Sequence, residues 1–212
     1  MRKSILLTLQ CILILICLLT SVSIVAAQKP SAANQLEGLL NTFTTLQAQF
    51  TQITQDQQHN IVQQTQGSVM LMRPGRFRWE TTKPMHQIVI ANGNTLWVYD
   101  VDLQQATKQI MKHNAIDPAI LLSGNVNDLL QQFTVTMIPH HGVTVFQLTP
   151  KKPNPAFHSV AVAFRDDTLS SMQIYNNLNQ TSIFDFTDVT LNAHLSPDLF
   201  HFTPPKNVSV LQ

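Results

Sequence analysis

The chain lacks cysteine beyond its first 27 residues, because Cys11 and Cys17 both lie in an apolar N-terminal run. The rest of the chain therefore has no thiol nucleophile and can form no disulfide, so its stability must come from its core. Neither cysteine follows the small residue that precedes a lipidated bacterial cysteine, because Gln10 and Ile16 stand there. The mature protein is expected to be soluble and not anchored by lipid.

A broad excess of positive charge is also missing. The sequence has 13 Lys and Arg against 12 Asp and Glu, and its only compact basic group consists of Arg73, Arg76 and Arg78. Nucleic acids require a wide cationic surface, because each phosphate carries a charge. The composition therefore argues against a nucleic-acid partner. Arg76 and Arg78 are expected to keep the sheet soluble, and docking of a partner is the alternative.

Motifs of the common hydrolases and metalloenzymes are missing as well. The histidines form no H-x-x-x-H or H-E-x-x-H pair, and the chain has no G-x-S-x-G motif and no Gly-rich phosphate loop. His140-His141 falls in a predicted turn, and Asp166-Asp167 is typical of a hairpin turn. The sequence predicts no metal, no cofactor and no catalytic site, and a secreted hydrolase is kept only as an alternative.

The N-terminus has the pattern of a secretory signal. Arg2 and Lys3 precede an apolar run over residues 5–19, and Val25-Ala26-Ala27 supplies small residues for cleavage. We expect residues 1–27 to be removed and residues 28–212 to form one domain. An uncleaved membrane anchor is the alternative, because residues 5–27 are just long enough to cross a bilayer.

The first element predicted after this signal is an amphipathic helix that begins at Pro30-Ser31. Its apolar residues recur at spacings of three and four, which places them on one face of a helix. They are Leu36, Leu39, Leu40, Phe43, Leu46, Phe50 and Ile53.

Short strands are predicted for most of the remaining sequence. In RFRWETT, Phe77, Trp79 and Thr81 alternate with charged residues, so one face of this strand is apolar and the other charged. Asn92-Gly93 supplies the positive φ angles of a tight turn between HQIVIA and TLWVYD. The predicted strands are Val62–Met72, Arg76–Thr82, Gln87–Ala91, Thr95–Asp100, Gln104–Met111, Phe133–Ile138, Val143–Thr149, Ser159–Arg165, Ser170–Tyr175 and Ser182–Val189.

Two further short helices are predicted, one after Asp117-Pro118 and one after Gly124. The fold class is mainly β (α+β): an unclosed antiparallel barrel of about ten to eleven strands, with a lid of about three helices. Composition alone leaves open whether its apolar interior is fully packed or hollow.

Motifs along nearly the whole mature chain resemble one family. They are Arg73-Pro74, Phe77-x-Trp79, Pro84, Gln87-Ile88, Asn92-Gly93, Leu96-Trp97-x-Tyr99-Asp100, Leu103-x-Gln105-x-Thr107, Pro118 with Leu121-Leu122, and Phe200-x-Phe202-x-Pro204-Pro205. In kind and order these motifs resemble the periplasmic outer-membrane lipoprotein carrier family, LolA. The chain departs from the family at Lys206-Asn207, where a glycine is usual after the proline pair.

The resemblance implies a half-barrel whose helical lid covers a hydrophobic cavity for the acyl chains of lipoproteins. It implies a monomeric carrier in the periplasm of a Gram-negative bacterium that hydrolyses nothing. An ATP-driven inner-membrane complex would load it, and an outer-membrane receptor lipoprotein would unload it. A lipid-sensing regulatory module with the same half-barrel is the alternative function.

The resemblance also implies roles for individual residues. Arg73 is expected to latch the lid by hydrogen-bonding to helix carbonyls, and the alternative is an ordinary surface arginine at a strand end. The residues expected to line the cavity are Phe77, Trp79, Trp97, Met70, Met72, Ile88 and Ile90, with a packed core as the alternative. The residues expected in the lid helices are Leu39, Leu40, Phe43, Phe50, Leu121, Leu122 and Leu129.

Overall fold

The structure is a computed structural model that describes residues 30–110 and 122–211. In this part of the chain two α-helices, α1 (Ala32–Asn41) and α2 (Val126–Gln132), accompany a 3-10 turn at Pro197–Phe200. The strands are β1 (Thr45–Gln55), β2 (Ile61–Met72), β3 (Arg76–Lys83), β4 (Gln87–Asn92), β5 (Thr95–Asp100), β6 (Gln105–Ile110), β7 (Phe133–His140), β8 (Val143–Pro150), β9 (Phe157–Arg165), β10 (Thr168–Asn176), β11 (Thr181–Leu191) and β12 (Ser209–Leu211).

All twelve strands belong to one sheet, in the order β12-β6-β5-β4-β3-β2-β1-β11-β10-β9-β8-β7. Within the described residues the two end strands, β12 and β7, do not pair with each other, so the sheet is unclosed, as predicted. Two features differ from the prediction. The described strands number twelve, and β12 runs parallel to β6, with Val210 opposite Ala106.

The predicted strands from Val62 onward are all present, and their described ends lie within two residues of the predicted ones. The Asn92-Gly93 hairpin is confirmed: Gly93 has a φ of 59°, and Ile90 pairs with Trp97 across the turn. Leu122 and Ser123 are helical, whereas the rest of the helix predicted after Asp117-Pro118 lies outside the described residues. No helix of the described ranges combines the length and the apolar character needed to span a bilayer.

The long N-terminal helix predicted through Ile53 is wrong. Helix α1 ends at Asn41, and the Thr42 hydroxyl donates to the Leu39 carbonyl, 2.7 Å away. The chain then enters β1, so Phe50 lies in a strand and not in the lid. The apolar residues of this segment fit both periods, because side chains four residues apart share a face in a helix and in a strand.

The two faces of the sheet are packed against different parts of the chain. The inner face carries Phe77 and Trp79, and its buried core includes Leu36 and Leu40 of α1 and Leu129 of α2. The outer face carries residues such as Ile90 and Trp97, and the segment after the 3-10 turn crosses it. Both faces of β4 are therefore buried, which explains the uninterrupted apolar sequence of this strand.

Candidate functional site

A cavity of about 390 Å³ opens on the inner face of the sheet, between β1–β5 and the strands β10 and β11. Its volume lies in the range of roughly 300–1,000 Å³ that is common for small-molecule pockets. The lining residues are Gln52, Gln63, Thr65, Phe77, Trp79, Thr81, Pro84, Met85, Gln87, Val89, Asp100, Met172, Ile174 and Phe184.

Aromatic side chains form the apolar wall of this cavity. The Trp79 ring centroid lies 4.3 Å from that of Phe50 and 5.4 Å from that of Phe184, which meets it edge to face. Phe77 is buried one register step deeper, on the same face of β3. The cavity therefore presents rigid aromatic surface to any occupant, which suits an apolar guest.

The structure brings only two of the residues expected to line the cavity to its wall, namely Phe77 and Trp79. The strand register places the others on the outer face, because cross-strand partners share a face. Met70 pairs with Arg78, and Ile90 pairs with both Arg78 and Trp97. The outer-face residues of the expected set are Met70, Met72, Ile88, Ile90 and Trp97.

The outer-face aromatics have a different partner. The Phe202 ring lies 5.3 Å from Trp97 and 5.2 Å from Tyr99, and Ile90 is buried close to Phe200. This packing ties the C-terminal segment to β4 and β5. Trp97 is thus separated from the cavity by the thickness of the sheet.

Arg73 stands at the turn between β2 and β3, against the helices. Its Nε and one terminal nitrogen donate to the Leu122 carbonyl at 3.0 and 2.8 Å, and its other terminal nitrogen donates to the carbonyls of Leu40 and Phe43. The guanidinium carbon also lies 4.3 Å from the Phe43 ring centroid. One side chain therefore contacts the end of α1, the segment after it and the helical turn at Leu122.

Burial lowers the pKa of Arg73 to about 10, because the charged guanidinium loses solvent. At neutral pH the group remains charged, and the carbonyls take the place of water. Carbonyl groups at a helix C-terminus suit this task, because they lack intrahelical donors and carry partial negative charge. The site joins helices to sheet through electrostatics as well as through apolar packing.

The residues expected in the lid divide into four groups, of which the first is Phe50 alone, because it lies in strand β1 and not in a helix. Leu40, Leu122 and Leu129 are buried in the inner core, and Leu39 packs against it. Phe43 is buried in the connection that follows α1. Leu121 lies outside the described residues.

A polar part of the cavity wall was missed by sequence reasoning. Thr65 donates to Gln52 at 3.1 Å, and Thr81 and Gln87 pair across β3 and β4. Gln52 lies two residues after Phe50, so the two side chains share a face in a strand. The helix predicted over this segment concealed that relation. Alternation along β3 had already placed Thr81 on the face of Phe77 and Trp79. For the other polar residues, the information lies in the strand register, which a single sequence does not supply.

An ion-pair cluster lies on the outer face of β3. Glu80 is 2.9 Å from both Arg78 and His86. Burial alone would raise the pKa of Glu80, but hydrogen bonds from His86 and Arg78 outweigh it and lower the pKa overall. Among the described residues no group of three histidine, cysteine or acidic side chains could hold a metal ion.

Comparison with known proteins places this architecture in a family. A curated relative from Coxiella burnetii (strain CbuK_Q154), named outer-membrane lipoprotein carrier protein, is 47% identical and is matched over 92% of this chain and 93% of its own length. A protein of the same name from Pseudomonas paraeruginosa (strain DSM 24068 / PA7) is 36% identical, with 90% and 92% covered.

A solved structure shares the fold. It is an uncharacterized conserved protein from Thermus thermophilus, which superposes with a TM-score of 0.55 at 11% identity and covers 85% of this chain and 99% of its own. The family profile described as outer membrane lipoprotein carrier protein LolA matches residues 41–203. The chain therefore belongs to the LolA family of outer-membrane lipoprotein carrier proteins.

Proposed function

We propose that this protein carries lipoproteins through the periplasm by enclosing their acyl chains. The observation that carries the proposal is the aromatic cavity on the inner face, next to helices held by Arg73, in a member of the LolA family. The protein performs no covalent chemistry in this role. It shields apolar chains from water and releases them to an acceptor.

The energetics explain why a carrier is needed. Each buried methylene contributes about 0.8 kcal/mol, so three acyl chains of about sixteen carbons represent on the order of 40 kcal/mol against exposure to water. Free diffusion of such a lipoprotein through an aqueous space is therefore negligible. A half-barrel that covers most of this surface removes the barrier.

The cavity of about 390 Å³ is small for this cargo. A group the size of a water molecule requires roughly 10–15 Å³ of cavity volume measured in this way, so three such chains need about 480–720 Å³. The described state therefore corresponds to the closed carrier, and loading requires the helices to move away from the sheet. A lid with two positions meets both demands, enclosure and release.

Arg73 acts in this proposal as the latch of the closed state. Its contacts with Leu40, Phe43 and Leu122 join the turn between β2 and β3 to the segments that must move. Cargo that enters beneath the helices displaces these carbonyls from the guanidinium. The energy of apolar burial then offsets the lost hydrogen bonds.

The remaining parts of the proposal concern processing and partners. Residues 1–27 act as a signal peptide, so that the mature chain begins at Gln28 and folds in the periplasm as a monomer. An ATP-driven inner-membrane complex supplies the cargo. An outer-membrane receptor lipoprotein accepts it, which requires that the receptor binds the acyl chains more tightly than the carrier does.

Co-purification tests the carrier function directly. Mature protein isolated from periplasm is expected to carry lipoprotein that mass spectrometry identifies. Thr81→Trp places a large ring in the cavity and is expected to abolish this cargo, whereas Thr82→Trp alters the adjacent exposed residue and is the matched control. Absence of lipoprotein from the unmutated protein, or equal cargo in both variants, would contradict the proposal.

A further inference from the structure

On the inner face, residues paired across neighbouring strands form rows, and these rows become more polar from Phe77 toward the end of β3. The deepest row contains Leu71, Phe77 and Ala91, and the next row contains Val69, Trp79 and Val89. The third row, which we call the polar row, contains Thr81, Gln87 and Asp100 on three neighbouring strands. All three residues of the polar row line the cavity.

The polar row lies at the mouth of the cavity. The turn after β3 supplies Pro84 and Met85 to the cavity wall, and Met85 is 61% exposed. An apolar guest that inserts its tail toward Phe77 therefore places its polar end against Thr81, Gln87 and Asp100.

The amide and hydroxyl groups of this row are free to bind a ligand. Across the described residues, the side chains of Thr81 and Gln87 make no hydrogen bond, whereas Gln52 and Thr65 on the opposite side of the mouth bond to each other. An amide offers both donors and an acceptor, so Gln87 can pair with an ester or amide carbonyl.

Asp100 is the only charged residue among the described residues that line the cavity. Its Oδ1 accepts the Leu103 backbone N–H at 3.2 Å, which fixes the carboxylate at the turn after β5. Lys83, the nearest basic residue along β3, is exposed and does not belong to the lining. A phosphate in the mouth would therefore face a carboxylate without a lining cation to offset the repulsion.

We propose that Thr81, Gln87 and Asp100 form a head-group subsite that accepts uncharged ester and amide groups beside acyl chains and disfavours phosphate. The inference rests on the proposed carrier function and deepens it. Membrane phospholipids present the same acyl chains as a lipoprotein, so the apolar wall cannot distinguish between them. Selection has to act at the polar end, where a lipidated cysteine is neutral and an anionic phospholipid is charged.

Two soluble lipids with identical chains test this subsite, namely dioctanoylglycerol and dioctanoylphosphatidylglycerol. The chain has two tryptophans, so a W97F background leaves Trp79 in the cavity wall as the sole reporter of fluorescence. We expect the neutral lipid to bind about tenfold more tightly than the anionic one. This comparison needs no change in the cavity itself.

Asp100→Asn is the decisive variant, because it removes the charge and keeps an oxygen for the Leu103 N–H. It is expected to raise the affinity for the anionic lipid about tenfold and to change the affinity for the neutral lipid by less than about twofold. Asp102→Asn is the matched control: it makes the same charge change in the same turn, outside the cavity lining, and should change neither affinity.

The outcomes separate the two proposals. Equal affinity for both lipids, or an equal response to Asp100→Asn and Asp102→Asn, would overturn the head-group subsite and leave the carrier function standing. If neither lipid alters Trp79 emission, the carrier function and the subsite are both wrong.

Discussion

Replacement of Arg73 by leucine is expected to loosen the helices without unfolding the sheet. The guanidinium donates to three carbonyls, and hydrogen bonds from a charged group contribute about 1.5 kcal/mol each at the low end, or roughly 4–5 kcal/mol in sum. The cost of removing the charged guanidinium from water opposes this stabilisation. The lowering of the pKa to about 10 corresponds to about 3 kcal/mol, reduced to about 2 kcal/mol because part of the group still contacts solvent.

The difference, about 2 kcal/mol at the low end, is the expected loss of free energy in the contact between helices and sheet for Arg73→Leu. It corresponds to roughly a thirtyfold shift toward the open lid. The sheet core is untouched, because the Arg73 backbone N–H still donates to Thr44 at 2.8 Å. The loss of free energy for Arg73→Lys should be smaller than the loss for Arg73→Leu, because an ammonium keeps three donors but has no planar fork.

Hydrogen exchange of the α1 amides measures this change. We expect exchange in α1 to accelerate roughly thirtyfold in Arg73→Leu, exchange in β9 to stay constant, and cargo handover to receptor-bearing membranes to fail. Arg76→Leu is the control, because Arg76 contacts Met72 and not the helices. Unchanged α1 exchange together with normal delivery by Arg73→Leu would refute the latch.

Three further changes probe the fold around the site. Phe77→Ala should lower the free energy of unfolding by about 3–4 kcal/mol in urea, because Phe77 is fully buried, and a loss below about 1 kcal/mol would contradict its place in the core. Gly67→Ala should lower the free energy of unfolding by at least about 2–3 kcal/mol, because a Cβ at this position would overlap the Glu80 carbonyl. Gly38→Ala is the control: its Cβ meets open space in α1, so this change should raise the free energy of unfolding by about 0.5–1 kcal/mol. Equal melting temperatures of the two variants would refute this reasoning. Glu80→Gln should lower stability by about 0.5–1 kcal/mol at pH 7. Because the folded pKa of Glu80 is lowered, this difference should disappear as pH falls through that value, and a difference that persists in acid would contradict the assignment.

The sequence predicted local features well, because local chemistry determines them. Asn92-Gly93 specified its hairpin, and the alternation of Phe77 and Trp79 with Arg78 correctly assigned the two faces of β3. The resemblance singled out Arg73, whose guanidinium donates to the carbonyls of Leu40, Phe43 and Leu122, and its role as a latch stays a prediction.

The features that escaped prediction depend on distant parts of the chain. Ile90 and Trp97 are apolar because Phe200 and Phe202, more than 100 residues away, cover the outer face. An apolar residue in a strand buried on both sides gives no sign of which side it faces. The polar row escaped notice for a related reason, since it exists only in the register of three strands.

The position of β1 beside β11 has a consequence for how the molecule forms. Leu46 pairs with Leu191, whereas most other neighbours in the sheet are joined by short turns. Local hairpins can assemble each half of the sheet early, but this seam closes a loop of most of the polypeptide and forms late. The cavity straddles that seam, so binding competence should arise only in the last step of folding, when β1 pairs with β11.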